Sequence, residues 1–328
     1  MTKQDIWKLS AIGAASLAVV ALLQIGSSRW IDPKVATDAA DATPTADSRR
    51  VVVHAQGETS APLNPQRVAV FDIGALDTLD ALGVEVMGVP GKPFPSYLQG
   101  YLNSRYRNLG TLFEPDYEAV NAAQPDLIIT GLRSSSKYKE LARLAPTIDM
   151  PTNDLQPLKV TLDNARLLGT LFGAEQRVKA LSEKIQQDVD RLRSGTATGG
   201  KGLIVLVSGG RMSAYGPGSR FGVIHSDFGV PAAAPHLAVS LHGEAISSEF
   251  ILKTNPDWLF VIDRDVAVGA TGAAQQVLDN PLVRQTSAWQ KGNVVYLDPA
   301  VWYLAGGGIQ AMSRMIAQIQ EGYERARH

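Results

Sequence analysis

EAVNAAQPDLIITGLR (residues 118–133) and EFILKTNPDWLFVIDR (residues 249–264) are built on one spacing. Each runs Glu, six residues, Pro-Asp, six residues, Arg. The matched positions are Glu118, Pro125, Asp126 and Arg133 in the first stretch, and Glu249, Pro256, Asp257 and Arg264 in the second, 131 residues later. Each reads as a short helix stopped by a Pro-containing turn, then an apolar run, then Arg. An unbroken apolar run suits a strand covered on both faces. Four matched residues on one hydrophobic profile point to a duplicated unit, and so to two related lobes. Ligands of open α/β sheets sit beyond the carboxyl ends of the strands, which is where Arg133 and Arg264 fall. If the lobes face each other, the two guanidiniums meet at one cleft. A guanidinium is always charged and presents a rigid donor fork, so the pair suits an anion held from both sides. Glu118 and Glu249 lie at the other ends of the units. Each is either a helix-surface carboxylate or a docking handle for a partner with two basic sockets.

Strand and helix signals alternate on either side of these stretches. Strands are predicted over 51–56, 67–71, 84–89 and 126–130, with a turn at SAPLNP (60–65) and a helix over 74–82. After residue 201 the pattern restarts, with strands over 202–207, 258–262 and 293–297 and a closing helix over 308–326. Between the two halves lie two helices, 157–173 and 174–193. The second carries Val178, Leu181, Ile185, Val189 and Leu192 as a narrow apolar stripe on an otherwise polar surface. Such a helix suits a spacer between lobes, or one more surface helix of a single sheet. The predicted fold class is α/β: two α/β lobes with mostly parallel sheets joined by a long backbone helix.

Lys3 and Lys8 flank the start of LSAIGAASLAVVALLQIG (9–26), a secretory signal or a retained membrane anchor. Residues 31–50, rich in Ala, Asp, Thr and Pro, read as a tether. The expected organisation is therefore 1–30 signal or anchor, 31–50 linker, 51–156 N-terminal lobe, 157–195 helical connector and 196–328 C-terminal lobe. The folded part is expected outside the cytoplasm, beside a membrane.

Of 328 residues, 45% are hydrophobic and 19% charged, which excludes wholesale disorder. Lys and Arg number 31 against 32 Asp and Glu, so no basic footprint for nucleic acid exists. With no Cys there is no disulfide, Cys zinc site, iron–sulfur cluster, thiol nucleophile or cysteine-linked lipid. Gly195-x4-Gly200-Lys201 imitates a phosphate loop, but Gly202 stands where Ser or Thr is required. No G-x-S-x-G elbow is present.

AYGPGSRFG (214–222), SLHGEAISSEFI (240–251) and VIDR (261–264) follow one another in the second half. FDIGALDTLDALGVEVMGVP (71–90) and EPDYEAVNAAQPDLII (114–129) stand in the first. Together they resemble the ferric-siderophore-binding proteins of ABC importers, over about residues 50–328, and within them the branch that handles catecholate siderophores. The resemblance implies the helical-backbone periplasmic binding protein fold with the ligand between the lobes. It implies that Arg133, Arg220 and Arg264 surround the iron–catecholate. It also implies that His242 and Tyr303 ligate Fe(III) when the siderophore leaves two positions open, and that Glu118 and Glu249 dock on the permease. No intrinsic cofactor is implied, since the ferric siderophore is cargo. The implied partners are that siderophore, the permease and its ATPase; the implied protein is a periplasmic monomer, free or anchored by residues 9–26. The lipid-bearing cysteine of many relatives is missing, and Phe113 stands where some carry a basic residue. Haem, a corrinoid or another iron chelate as ligand stays open, as do an anchored hydrolase using His242 as base and a tethered sensor.

Overall fold

The computed structural model describes residues 48–152, 155–240 and 242–326; the expected signal or anchor at 9–26 lies outside them. Among the described residues, twelve strands form two five-stranded sheets and a hairpin. The hairpin pairs β1 (Arg49–His54) with β2 (Gly57–Pro62). The first sheet has the order β5-β4-β3-β6-β7 and is parallel throughout. Its strands are β3 (Val68–Val70), β4 (Gly88–Val89), β5 (Arg107–Asn108), β6 (Leu127–Gly131) and β7 (Thr147–Met150). The second sheet has the order β10-β9-β8-β11-β12, from β8 (Gly202–Ser208), β9 (Arg211–Tyr215), β10 (Glu244–Ile246), β11 (Trp258–Asp263) and β12 (Val294–Tyr296). Its β8, β11 and β12 are parallel, and β9 and β10 join antiparallel.

The repeat is visible as two copies of one device. The helices Tyr117–Ala123 and Ser248–Thr254 both end on a left-handed residue, Gln124 at φ 49° and Asn255 at φ 43°. Each is followed by the Pro-Asp turn. The Asp126 carboxylate accepts from the Gln66 and Arg67 amides (2.8 and 3.0 Å), and Asp257 accepts from the Lys201 amide (2.9 Å). Each Asp so ties the start of β6 or β11 to the start of its parallel neighbour, β3 or β8. The apolar runs alternate between faces: Leu127 and Ile129 join one core and Ile128 the other, as do Phe260 and Ile262 against Leu259 and Val261. Both faces are covered, which is why the runs read as continuous.

One core runs from the first sheet through the helices Ile73–Leu82, Pro157–Leu171, Glu175–Thr196 and Ile309–Arg325 to the second sheet. Helix Glu175–Thr196 buries Val178, Ile185, Val189 and Leu192 of the expected stripe, with Leu181 at its edge, and runs three residues past the expected end. The closing helix is tied to the first half by Asp77. This fully buried carboxylate accepts from the Gln310 and Ala311 amides (2.7 and 3.0 Å) and from the Tyr97 hydroxyl (2.5 Å). It caps a helix more than 230 residues away in sequence. A Cβ on Gly308 would lie 2.3 Å from Asp77 Oδ1, so this approach requires glycine.

Three expectations need correction. β1 begins at Arg49, inside the stretch read as linker. The turn read at 60–65 starts late, because Gly57–Pro62 folds back as β2. The strand read over 84–89 keeps only Gly88–Val89. Among the described residues, no helix is long and apolar enough to cross a membrane.

Candidate functional site

Arg133 follows β6 and Arg264 follows β11, so both leave the carboxyl ends of central strands. Arg220 comes from the turn after β9. Gly218 there adopts φ 77°, Ser219 is buried with its hydroxyl donating to the Gly216 carbonyl (2.6 Å), and Phe221 packs edge-on against Tyr215. With its two neighbours buried, Arg220 is turned outward. Tyr303 ends the short helix Pro299–Tyr303, which Asp298 caps. The adjacent Trp302 is buried and donates to Gln318 (2.9 Å).

These four residues meet. Arg133 and Arg220 both donate to the Tyr303 carbonyl, at 2.5 and 3.1 Å. That oxygen lies at a helix C-terminus, where carbonyls lack intrahelical partners and carry partial negative charge. Arg264 Nε donates to the Tyr303 hydroxyl at 3.1 Å. The Arg133, Arg220 and Arg264 guanidinium carbons lie 4.9, 4.4 and 5.7 Å from the centre of the Tyr303 ring. Among the described residues, neither Arg133 nor Arg220 has an ion-pair partner. Arg264 has only a 3.9 Å approach to Asp265.

Burial, and then the charge of Arg220, push the Arg133 guanidinium below its usual range, although it stays charged. For Tyr303 burial acts upward, but the Arg264 hydrogen bond and the three positive charges outweigh it and lower the phenol from its ordinary value. Two unit charges 4 Å apart repel by about 4 kcal/mol at an effective dielectric of 20. The Arg220 charge acts against that of Arg133 in this way, and an anion bound among the three guanidiniums would relieve such repulsion.

A cavity of about 180 Å³ opens beside the cluster, lined by Arg220 and Tyr303 together with Asp72, Leu132, Met150, Val160 and others. Asp72 is an acceptor for the Ala75 amide (2.8 Å) at the head of its helix. Burial raises its carboxyl above the usual range, while the Ala75 bond and the Arg133 charge pull it back. Neither Asp72 nor Leu132 was singled out from the sequence. The strand-Asp-helix succession of FDIGAL marks Asp72 as a cap, but nothing in residue type marks Leu132.

His242 is not brought into this group. Its side chain is exposed and, among the described residues, makes no hydrogen bond. It stands next to Gly243, which packs against the Tyr215 ring. Glu118 and Glu249 are both exposed, each in the first turn of its matched helix. The neighbouring Ser247 hydroxyl holds the Glu249 carboxyl below its usual range. Among the described residues, no cluster of His, Asp and Glu is set to hold a metal ion.

The family model for periplasmic binding proteins matches residues 68–301. The chain is 40% identical to the petrobactin-binding protein YclQ of Bacillus subtilis, over 81% of this chain and 85% of the relative. The crystal structure of YclQ superposes with a TM-score of 0.83, covering 84% of this chain and 99% of that one. The ferric-anguibactin-binding protein FatB of Vibrio anguillarum is 34% identical, over 84% and 87% of the two chains. The periplasmic catecholate-siderophore binding protein VctP of Vibrio cholerae is 35% identical, with a TM-score of 0.78 over 84% of this chain and all of that one. Two α/β sheets facing a shared group of arginines, and this match across most of its length, place the chain in the periplasmic binding protein family.

Proposed function

We propose that this chain is the extracytoplasmic substrate-binding protein of an ABC importer, and that it captures a ferric siderophore of catecholate type between its two sheets. The observation that carries the reading is the convergence of Arg133, Arg220 and Arg264 on Tyr303. Three catecholates on Fe(III) leave a complex of charge about −3, which three guanidiniums offset by direct pairing. The ligand oxygens would compete with the Tyr303 carbonyl for the same N–H groups. The likeness to the catecholate-siderophore binding protein VctP supports the ligand class, and that to the ferric-anguibactin-binding protein FatB supports a ferric complex as cargo. Fe(III) arrives as cargo.

The finer reading is a periplasmic monomer, with residues 9–26 as signal or anchor, that delivers its ligand to a permease driven by an ATPase. Glu118 and Glu249, one on each half of the duplicated scaffold, are the docking pair. A wild-type chain is expected to bind ferric catecholate and support its uptake. Reversing both glutamates to Lys should leave binding unchanged and stop uptake of radiolabelled iron. Unimpaired uptake would remove the docking role.

With a tetradentate bis-catecholate, Tyr303 takes one of the two open positions of the iron, and His242 takes the other only if its exposed segment moves toward Tyr303 when the ligand binds. Phenolate oxygen is a hard donor suited to Fe(III), and imidazole is also a good iron ligand. Because the arginines already lower the Tyr303 phenol, its charge-transfer band should appear well below the pH at which free tyrosine ionises, and grow as pH rises. Tyr303→Phe should abolish that band and spare binding of a hexadentate ligand. A band that survives in the Phe variant would exclude Tyr303 from the iron.

A further inference from the structure

Leu132 stands where the chain's turn chemistry asks for glycine. It follows β6 directly, in the turn 131–134, closed by the Ser134 amide donating to the Gly131 carbonyl (3.0 Å). The buried Ser134 hydroxyl fixes the turn by donating to the Phe71 carbonyl and accepting from the Gly131 amide, both at 3.1 Å. Leu132 is the second residue of this turn and adopts φ 42°. A branched side chain is rare there, and Gly or Asn is the usual choice. The matching position in the other half is unstrained, since Asp263 has φ −93° and caps the helix that begins with Arg264. The duplicated scaffold can therefore present its arginine without a left-handed residue, and the first half carries one anyway.

The side chain held at this cost is 44% exposed. It borders the cavity that Arg220 and Tyr303 also line, one residue from Arg133. Strained backbone of this kind persists where surrounding structure holds it, commonly at ligand sites. An apolar patch next to guanidiniums matches a ligand with a flat apolar face and anionic oxygens along one edge, which describes a metal-bound catecholate ring.

We propose that Leu132 is a specificity-determining contact: the first sheet's apolar wall against an aryl ring of the ferric ligand, with the neighbouring arginines on that ring's oxygens. This rests on the catecholate reading above. The test is affinity for a ferric tris-catecholate, read by tryptophan quenching, in wild type and in Leu132→Met, Leu132→Ala and Leu132→Gly. If the side chain is the wall, Met keeps wild-type affinity while Ala and Gly both lose roughly tenfold, as expected for removing part of a buried Leu contact. If Leu132 acts only by shaping the turn under Arg133, Ala keeps the affinity and Gly alone loses it; that result overturns the proposal. Equal affinity in all four proteins overturns it too. Failure of the wild type to bind would instead refute the catecholate reading itself.

Discussion

Arg220→Ala is expected to weaken binding of a ferric tris-catecholate by roughly 10- to 100-fold and to leave the ligand-free fold at least as stable as wild type. The two halves of this expectation have one cause. Arg220 shares the Tyr303 carbonyl with Arg133 and lies over the same ring, with no carboxylate paired to it among the described residues. Removing it takes away one member of a mutually repelling set, so the free protein loses little. The bound anion loses a charge-assisted donor pair in a partly buried site, where such bonds are strongest. Arg220→Lys should recover only part of the loss, because a single ammonium cannot reproduce the planar fork. Isothermal titration and thermal melting on the same preparations separate the two effects. Unchanged affinity would remove Arg220 from the site, and a collapse of the free fold would make it structural.

Asp77→Ala is expected to destabilise the whole fold by about 3 kcal/mol without directly touching the ligand site. The carboxylate is fully buried and satisfies two helix N-terminal amides and the Tyr97 hydroxyl. Deleting it orphans all three donors in the interior. Asp77→Asn should cost less, since one carbonyl acceptor remains. The carboxyl also gives stability a pH dependence. Burial pushes it up to about 7, against the pull of Tyr97 and the two amides. Between about pH 4 and 7 the folded chain therefore holds a proton that the unfolded chain has released. This contribution to stability is complete below the unfolded value of 3.8 and is lost as pH rises through 7. Urea unfolding across that range should show wild type losing stability with rising pH and Asp77→Asn with a flatter profile. Parallel profiles would rule out Asp77 as the source.

What could be read in advance follows from which features leave a mark in residue type. The central strands β6, β8 and β11 are covered on both faces, so their unbroken apolar runs identified them. The duplicated Pro-Asp turns were legible because the same carboxylate device ties each of them to its neighbour. Strands β5, β9 and β10 left no such mark. β5 is two exposed residues long, and β9 and the edge strand β10, which join the second sheet antiparallel, carry charges such as Arg211 and Glu244. In the site, Arg133 and Arg264 were located by their place at strand ends, and Arg220 and Tyr303 by family resemblance. That all three arginines would gather on Tyr303, two of them at its backbone carbonyl, had no signature, because every residue offers the same oxygen. Nothing in residue type marks Asp77 within the helix predicted over 74–82, since its partners arrive from the far end of the chain. Leu132 was invisible because a left-handed conformation at a non-glycine residue is decided by the surrounding fold.

The account stands on an electrostatic grip assembled from both halves of the molecule, and one comparison probes it directly: titrating the wild-type chain with a tris-catecholate siderophore in its ferric form and in its iron-free, protonated form. The ferric complex, carrying about three negative charges, should saturate at one per chain with a submicromolar Kd that weakens as salt is raised, while the uncharged form binds at least a hundredfold more weakly. Equal affinity for the two forms, or no effect of salt on the ferric complex, would contradict it.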